Sequence, residues 1–371
     1  MRQKPATPNG HAHCARIGGR IGVRIGGRIG RAGAALLGGI ALSLGLATAK
    51  AADPVELTAF EIAAVRDPQL GAQMAIADAQ GYFKEEGLTV TLRWNQSAAD
   101  VMTLMAGGSQ NVGTGGAFTQ IVLSGQKLPV KTIATLADIA ETQGFALSPG
   151  VKLASPKELE GKKLAYTQGN SQILILAKMA TMFGFDMSKI TLVNMNPAEG
   201  VVAAAKGDVQ GLLGWQPNLY RLTDLGGAMY ATGTTLNVTG TVQQLAFEDR
   251  LQYNHSTLLV SEAWIAKYPN TIKAMLRALI KANTLINSDR PAALAALEKA
   301  LRIDAGPLKV MVEANKYGLK IDDSFARTIA FQSDWAMQVK RITAPITMDE
   351  AVAPKLLGEV DPALVTWKPK S

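Results

Sequence analysis

Side chains that could perform catalysis are scarce in this sequence. Cys14 is the only cysteine, and His255 is the only histidine after residue 51. A Ser–His–Asp triad or a zinc site built from Cys and His needs more of these residues, and no Asp/Glu cluster has the spacing of a metal site. His255 has no acidic neighbour in the sequence and is predicted to be structural. The composition therefore favours binding over catalysis, without a metal or a cofactor.

Two glycine-containing segments could instead bind an anion. They are Thr114-Gly115-Gly116 and Gln168-Gly169-Asn170-Ser171, and each precedes a predicted helix. Glycine lets the backbone approach a ligand, and the first N–H groups of a helix are unpartnered and carry partial positive charge. Two such helix starts facing each other across a cleft would hold an acidic group. The alternative is that Asn170 or Ser171 only caps its helix.

Three more residues complete the predicted binding site. Arg66 could bind a carboxylate or a sulfonate through its guanidinium group, although an arginine in water is the alternative. Its neighbour Asp67 is predicted to be a helix cap. Trp215 could form a wall of the pocket or pack in the core, and the polar Gln216 that follows favours the wall.

The elements that must position these residues follow the same plan twice. Strand patterns occur at residues 55–62, 88–94 and 110–113, and again at 163–167, 190–194 and 209–213, with helices between them. Ser97 with Asp100, and Asn196 with Glu199, have the spacing of capping boxes. This alternation predicts an α/β protein of two lobes, each a parallel-rich sheet flanked by helices. Ligands of such sheets lie beyond the carboxyl ends of the strands.

We expect residues 52–147 to form the first part of lobe 1 and residues 148–249 to form lobe 2. Residues 250–371 would return to lobe 1 and end in helices, of which residues 272–280 and 294–301 show an apolar stripe. The chain would cross between the lobes near residues 147–149 and 245–255. Hinges at these crossings would let the lobes close on a ligand.

The first 51 residues differ in composition from the rest. They hold eight of the 38 basic residues and none of the 30 acidic ones, which leaves 30 of each sign in the remainder. A basic start, an uncharged stretch at residues 32–49 and the end Ala49-Lys50-Ala51 are typical of a cleaved signal peptide; a retained anchor is the alternative. We therefore expect a periplasmic monomer. A neutral mature chain offers no basic surface to nucleic acid.

Five segments, in this order, resemble one protein family. They are AIADAQGYFKEEGLTVTL, AGGSQNVGTGG, ELEGKKLAYTQGNS, GDVQGLLGWQP and LLVSEAWIAKYPNTIKAMLRAL. They are similar to segments of the solute-binding proteins of ABC importers for nitrate, sulfonate, taurine and thiamine precursors. The resemblance implies a type II periplasmic binding protein, whose two lobes close on a small anion and deliver it to a membrane permease. The alternative is a protein that passes the same ligand to a membrane sensor.

The sequence departs from this family in two places. Gln210 and Gln216 stand where relatives usually have Asp and Glu, and the loss of the Glu disfavours an amine-bearing ligand such as taurine. The pyrimidine synthase of the superfamily needs a cysteine-rich segment, which this chain lacks. Sulfonate, nitrate, aromatic carboxylate and pyrimidine ligands all remain open at this point.

Overall fold

The computed structural model describes residues 54–168, 170–238 and 240–368 of the 371-residue chain. The predicted signal peptide and Gly169 of the predicted site lie outside these ranges. The described residues belong to one compact unit, Ala52–Ser371. None of the helices described in it has both the length and the apolar character needed to cross a membrane.

Strands and helices alternate through the first two thirds of the unit, and helices dominate the last third. The strands are β1 Ala59–Val65, β2 Thr89–Asn95, β3 Val112–Gly116, β4 Val130–Asp138, β5 Gln143–Leu147, β6 Lys163–Tyr166, β7 Thr191–Asn194, β8 Gly211–Trp215, β9 Ala228–Thr232, β10 Thr235–Leu236, β11 Gln243–Gln244, β12 His255–Ser261 and β13 Lys316–Tyr317. The helices are α1 Ala72–Ala79, α2 Tyr82–Glu85, α3 Ala98–Ala106, α4 Ala117–Gly125, α5 Ile173–Phe183, α6 Pro197–Lys206, α7 Asn218–Asp224, α8 Glu262–Lys267, α9 Pro269–Ser288, α10 Arg290–Leu301, α11 Ala305–Ala314, α12 Asp323–Gln338, α13 Met348–Ala351 and α14 Lys355–Val360.

The strands form two sheets with the same arrangement. The first has the order β13-β4-β12-β3-β1-β2 and the second has the order β11-β10-β9-β5-β8-β6-β7. In each sheet three strands are parallel, and the strand that arrives from the other lobe follows them in antiparallel orientation. The two-lobed α/β class is confirmed, with sheets more mixed than predicted. The parallel strands end at the cleft, so a strand that enters from the cleft must run the opposite way.

The chain crosses between the sheets at two hydrogen-bonded passages. The first lies between Asp138 and Gln143, before β5, and the second lies between Asp249 and His255. The N–H of Ile139 donates to the carbonyl of Asn254 at 2.9 Å and ties the passages together. The first crossing is therefore earlier than the predicted 147–149, and lobe 2 includes β5. The fully buried β5 pairs with β8 and β9 of the second sheet, although it follows lobe 1 directly in sequence.

Local helix signals agree with the structure at α3 and α6. Both predicted capping boxes are present, with Ser97 and Asp100 at α3 and Asn196 and Glu199 at α6. Asp67, predicted to cap a helix, caps the turn of residues 68–70 instead, and α1 starts later, at Ala72. The capping residues of α3 and α6 contact only their own turn, which is why sequence spacing was sufficient to find them.

The C-terminal helices cover the first sheet, as their apolar stripe predicts. Ile272, Met275, Leu276 and Leu279 of α9 are fully buried and belong to the same core as strands β1, β4 and β12. Two smaller clusters fill the two sides of the second sheet. Each lobe is thus held by its own core, and the space between the lobes belongs to neither core.

Candidate ligand-binding cleft

A cleft of about 530 Å³ lies between the two lobes, which is within the usual size range of small-molecule sites. Its walls come from segments beyond the carboxyl ends of β1, β2, β3, β6 and β8, from both crossings, and from the segment after α12. Its lining residues are Asp67, Gln69, Leu70, Gln96, Ser97, Ala98, Ala99, Met102, Gly116, Phe118, Thr119, Val122, Ile139, Gln143, Gln168, Asn170, Ser171, Gln172, Trp215, Asn254 and Arg341.

Five of the ten residues predicted from the sequence line this cleft. They are Gly116 from lobe 1 and Gln168, Asn170, Ser171 and Trp215 from lobe 2. The two glycine-containing segments therefore face the same space, as the edge rule for parallel strands requires. Gly169 adjoins this group in sequence, and its own position is not described.

Thr114 and Gly115 belong to strand β3 and not to a loop. The Thr114 hydroxyl accepts a hydrogen bond from the N–H of Val65 at 3.1 Å, and its side chain is fully buried. A Cβ atom on Gly115 would lie 3.0 Å from Leu259 Cδ1 and 3.1 Å from Thr119 Cβ. Small size at Gly115 thus serves the packing of strand β3 against its neighbours.

Gln216 is also occupied inside the protein. Its side-chain oxygen accepts from the N–H of Tyr220 at 2.9 Å, in the first turn of α7, and its carbonyl accepts from Gln69 Nε2 at 3.2 Å. Trp215, one residue earlier, ends β8 and reaches the cleft. The expectation that residue 216 selects against amines therefore loses its basis, because the side chain caps a helix.

Arg66 lies beside the cleft with its guanidinium carbon 5.3 Å from the centre of the Trp94 ring, in cation–π geometry. The arginine that lines the cleft is Arg341, which sequence reasoning missed. It follows α12 after Lys340, whose φ of 56° turns the chain. Arg341 also borders a neighbouring notch formed with Thr167, Gln168 and Asn194 of lobe 2. The sequence carries no motif that points to Arg341. Even the turn before it is hard to recognise, because Lys340 occupies a backbone conformation in which glycine is usual.

The start of α5 carries no side-chain cap. The hydroxyl of Ser171 instead accepts from Gln252 Nε2 at 2.7 Å, which connects lobe 2 to the second crossing. The capping alternative for Asn170 and Ser171 is therefore wrong. A helix start without a side-chain cap, facing a cleft, is suited to an anionic group.

Three glutamine side chains form a hydrogen-bonded chain along the cleft. Gln172 donates to Gln143 at 2.6 Å, Gln143 donates to Gln69 at 3.1 Å, and Gln69 donates to the Gln216 carbonyl at 3.2 Å. All three glutamines are at least nine-tenths buried. The sequence analysis assigned no binding role to Gln69, Gln143 or Gln172.

Asp67 is the carboxyl group in the cleft lining. Burial raises its pKa from 3.8 to about 6, although the N–H groups of Leu70 and Gln69 act in the opposite direction. These two N–H groups donate to Asp67 Oδ1 at 2.8 and 2.9 Å. Within the described ranges, no Lys or Arg nitrogen lies within ion-pair distance of Asp67. Its negative charge is thus not neutralised by a close cation.

The raised pKa gives a testable effect on stability. Ionising Asp67 costs free energy in the folded protein, and the cost is present above the folded pKa and disappears towards the unfolded value of 3.8. Asp67→Asn keeps the oxygen that caps residues 69 and 70. We expect it to raise the melting temperature at about pH 8 and to have a much smaller effect at about pH 4.5, where most of this cost has disappeared. Asp78→Asn, at an exposed carboxylate on α1, is the matched control. An Asp67→Asn effect that is equal at both pH values would contradict this.

His255 lies away from the cleft lining. Its Nδ1 is 2.7 Å from the Thr328 hydroxyl, and burial lowers its pKa below 6.5. In the described ranges, no group of three or more His, Cys, Asp or Glu side chains is placed to hold a metal ion. The cleft therefore presents amides, hydroxyls, one arginine and the Asp67 carboxyl to a ligand, with apolar side chains between them.

Two lobes of one plan, joined by two crossings around a cleft, are the fold of the two-lobed periplasmic binding proteins. The NMT1/THI5-like family model matches residues 71–290, and the chain belongs to this family. The resemblance inferred from the five sequence segments is confirmed.

Relatives and solved structures agree with this assignment. The chain is 22% identical over 255 residues to the taurine-binding periplasmic protein of Escherichia coli (strain K12), across 66% of this chain and 74% of that protein. It is 23% identical over 225 residues to the 4-amino-5-hydroxymethyl-2-methylpyrimidine phosphate synthase of Aspergillus parasiticus, across 60% of this chain and 64% of that protein. The structure of the periplasmic aliphatic sulphonate binding protein SsuA from Escherichia coli covers 85% of this chain and 94% of its own, with a TM-score of 0.66 and 15% identity. The fold is that of periplasmic solute-binding proteins.

Proposed function

We propose that this protein captures a small organic anion between its lobes and delivers it to the permease of an ABC importer. The observation that carries the proposal is the cleft itself, where Arg341 of lobe 1 faces the uncapped start of α5 in lobe 2. A guanidinium group and the partial positive charge at the start of a helix are both suited to a carboxylate or a sulfonate. The proposed binding residues are Arg341, Gly116, Gln168, Gly169, Asn170, Ser171 and Trp215.

The apolar part of the lining favours an organic anion over nitrate. Leu70, Met102, Phe118, Val122 and Trp215 contribute apolar surface to a space of about 530 Å³. A ligand with a hydrocarbon body would bury this surface and gain about 25 cal/mol per Å² removed from water. Among the ligand classes left open by the sequence, we place sulfonates first, because one relative is named for taurine and one structural neighbour for aliphatic sulphonates, and both of these ligands are sulfonates.

The proposed site of action is the periplasm, reached by cleavage of the predicted signal peptide after Ala51. The family relatives named as periplasmic support this placement. A binding role also agrees with the position of His255, which is buried against Thr328. In this proposal the protein acts as a monomer and delivers its ligand to the permease.

A thermal-shift screen tests the proposed function. The panel contains alkane- and arylsulfonates, aromatic carboxylates, nitrate and a pyrimidine. A ligand at a hundred times its Kd adds about 2.7 kcal/mol to the free energy of unfolding, which shifts the melting temperature by several degrees. We expect the largest shift with a sulfonate and little shift with nitrate. A shift with the pyrimidine alone, or with none of the anions, would contradict the proposal.

A further inference from the structure

The glutamine chain in the cleft has a fixed direction. It ends on the carbonyl oxygen of Gln216, which can only accept a hydrogen bond. Gln69 must therefore turn its NH₂ group to this carbonyl and its oxygen to Gln143. Reversing all three amides would preserve the middle hydrogen bonds, but it would place the Gln69 oxygen against the Gln216 oxygen. That arrangement loses one hydrogen bond and adds a repulsion between two acceptors.

The same logic fixes the other end of the chain. Gln143 donates to Gln69 at 3.1 Å, so its own oxygen faces Gln172, which donates to it at 2.6 Å. The remaining polar atom is the side-chain oxygen of Gln172, a residue that lines the cleft. This oxygen accepts no hydrogen bond from any residue that the structure describes. The chain thus presents a hydrogen-bond acceptor to the ligand space, and the acceptor cannot become a donor without breaking the chain.

Asp67 adds a second acceptor to the same cleft. Its Oδ1 is used by the N–H groups of residues 69 and 70, which leaves Oδ2 without a partner in the described ranges. Asp67 and Gln172 are connected through Gln69 and Gln143, so both belong to one hydrogen-bonded assembly. A plain anion would have nothing to donate to either group. It would also bring its negative charge into the same cleft as an uncompensated carboxylate.

We propose that the ligand carries a hydrogen-bond donor, an amino or hydroxyl group, in addition to its anionic group, and that Gln172 and Asp67 accept from this donor. This inference rests on the proposed function, with the anionic end at Arg341 and the start of α5. It narrows the ligand to amino- or hydroxy-substituted organic anions. The selecting residues are Gln172 and Asp67, and Gln69 and Gln143 act through them as positioning residues.

Matched pairs of anions that differ only in the donor test this proposal. The first set is 2-aminoethanesulfonate, 2-hydroxyethanesulfonate and propane-1-sulfonate, in which amino, hydroxyl and methyl groups occupy the same place. The second is 4-aminobenzenesulfonate with 4-methylbenzenesulfonate. Calorimetry on the full mature protein should give at least about tenfold tighter binding for a donor-bearing member in one set, since an unpaired buried polar group costs about 1–3 kcal/mol.

The outcomes separate the two levels of the proposal. Equal binding within both sets, or tighter binding of the methyl compounds, would overturn the donor inference and leave the anion-binding function standing. Failure of all five sulfonates to bind would overturn the donor inference for sulfonates and the placing of sulfonates first, and the anion-binding function would fall as well if the carboxylates of the thermal-shift panel also failed to bind. A preference for the amino over the hydroxyl compound would show that the ligand's donor binds to Asp67, because the carboxylate of Asp67 also attracts the positive charge of the amino group.

Variants of the selecting residues provide an independent readout. In Gln172→Met, affinity for the donor-bearing anion should fall towards that of its methyl analogue, whose own affinity should stay nearly constant. In Asp67→Asn the ratio of the two affinities should fall in the same way, while the methyl analogue itself binds more tightly because a like charge is removed. Retained binding of the methyl analogue also shows that each variant is folded. Gln80→Met, an exposed glutamine at the end of α1, should leave the ratio unchanged. A ratio that stays the same in both cleft variants would overturn the assignment of Gln172 and Asp67.

Discussion

Replacing Arg341 by Gln should weaken binding of the best sulfonate from the thermal-shift panel by about ten- to a hundredfold. A hydrogen bond to a charged group contributes about 1.5–3 kcal/mol, and each 1.4 kcal/mol is a factor of ten in Kd. Arg341 borders both the cleft and the notch of lobe 2, and it is exposed in this structure, so it is free to turn onto a ligand. Calorimetry at low and moderate salt measures the effect.

Two further arginine variants make this test specific. Arg66→Gln examines the competing account, in which the arginine beside Trp94 leaves the ring and binds the anion. Arg221→Gln, at an exposed position on α7, removes the same charge outside the cleft lining and should change Kd by less than about twofold. A large loss with Arg66→Gln, together with near-normal binding by Arg341→Gln, would move the anion site to Arg66.

The sequence was sufficient wherever a structural feature depends on neighbouring residues. The capping boxes of α3 and α6 were predictable because each is closed by residues three positions apart. The repeated strand–helix plan was predictable because periodicity within each segment reveals it. The edge rule for parallel strands then located the cleft, since Gly116, Ser171 and Trp215 all follow or end such strands.

Features that join distant segments of the chain could not be predicted from local sequence patterns. Gln69 and Gln143 are 74 positions apart and Gln143 and Gln172 are 29 apart, and only the packed lobes bring their amides together. Arg341 reaches the cleft from a segment with no binding motif. Thr114 and Gly115 look like loop residues because a Gly-Gly pair follows Thr114, yet both belong to strand β3, where close neighbours leave little room for a side chain at Gly115.

Replacing Asp138 by Asn should lower the free energy of unfolding by about 3–5 kcal/mol, because it leaves a buried arginine without its partner. Asp138 Oδ2 and Arg250 Nη1 are 2.8 Å apart, with side chains 13% and 9% exposed. The pair joins the end of β4 to the second crossing. In the variant, the amide NH₂ of Asn would face the N–H groups of Arg250. Two hydrogen-bond donors would then repel each other where a carboxylate and a guanidinium group now attract each other.

The pH dependence of this pair has a defined sign. Burial would raise the pKa of Asp138, but the nearby charges of His255 and Arg250 outweigh it and hold the pKa below 3.8. A lowered folded pKa means that the carboxylate stabilises the protein at every pH above 3.8, and that this contribution is lost as the pH falls through the folded value. The loss caused by Asp138→Asn should therefore be nearly constant between about pH 7 and pH 8, where His255, whose pKa lies below 6.5, is neutral with and without its Asp138 neighbour.

A double variant shows whether the unpaired charge of Arg250 causes the loss of stability in Asp138→Asn. Asp138→Asn with Arg250→Met removes the charge but keeps an apolar chain over the Phe247 ring, where the guanidinium now lies 4.9 Å from the ring centre. It should be more stable than Asp138→Asn alone, because breaking a buried ion pair costs more than replacing both partners.

A surface ion pair provides the control. Glu313→Gln, in the exposed pair with Lys309, should change the free energy of unfolding by less than about 0.5 kcal/mol. Urea unfolding measures these three variants and Arg250→Met alone. If the double variant lost as much as the sum of its single changes, the ion pair would have no coupling, and the hydrogen-bonded crossings would hold the lobes together without it.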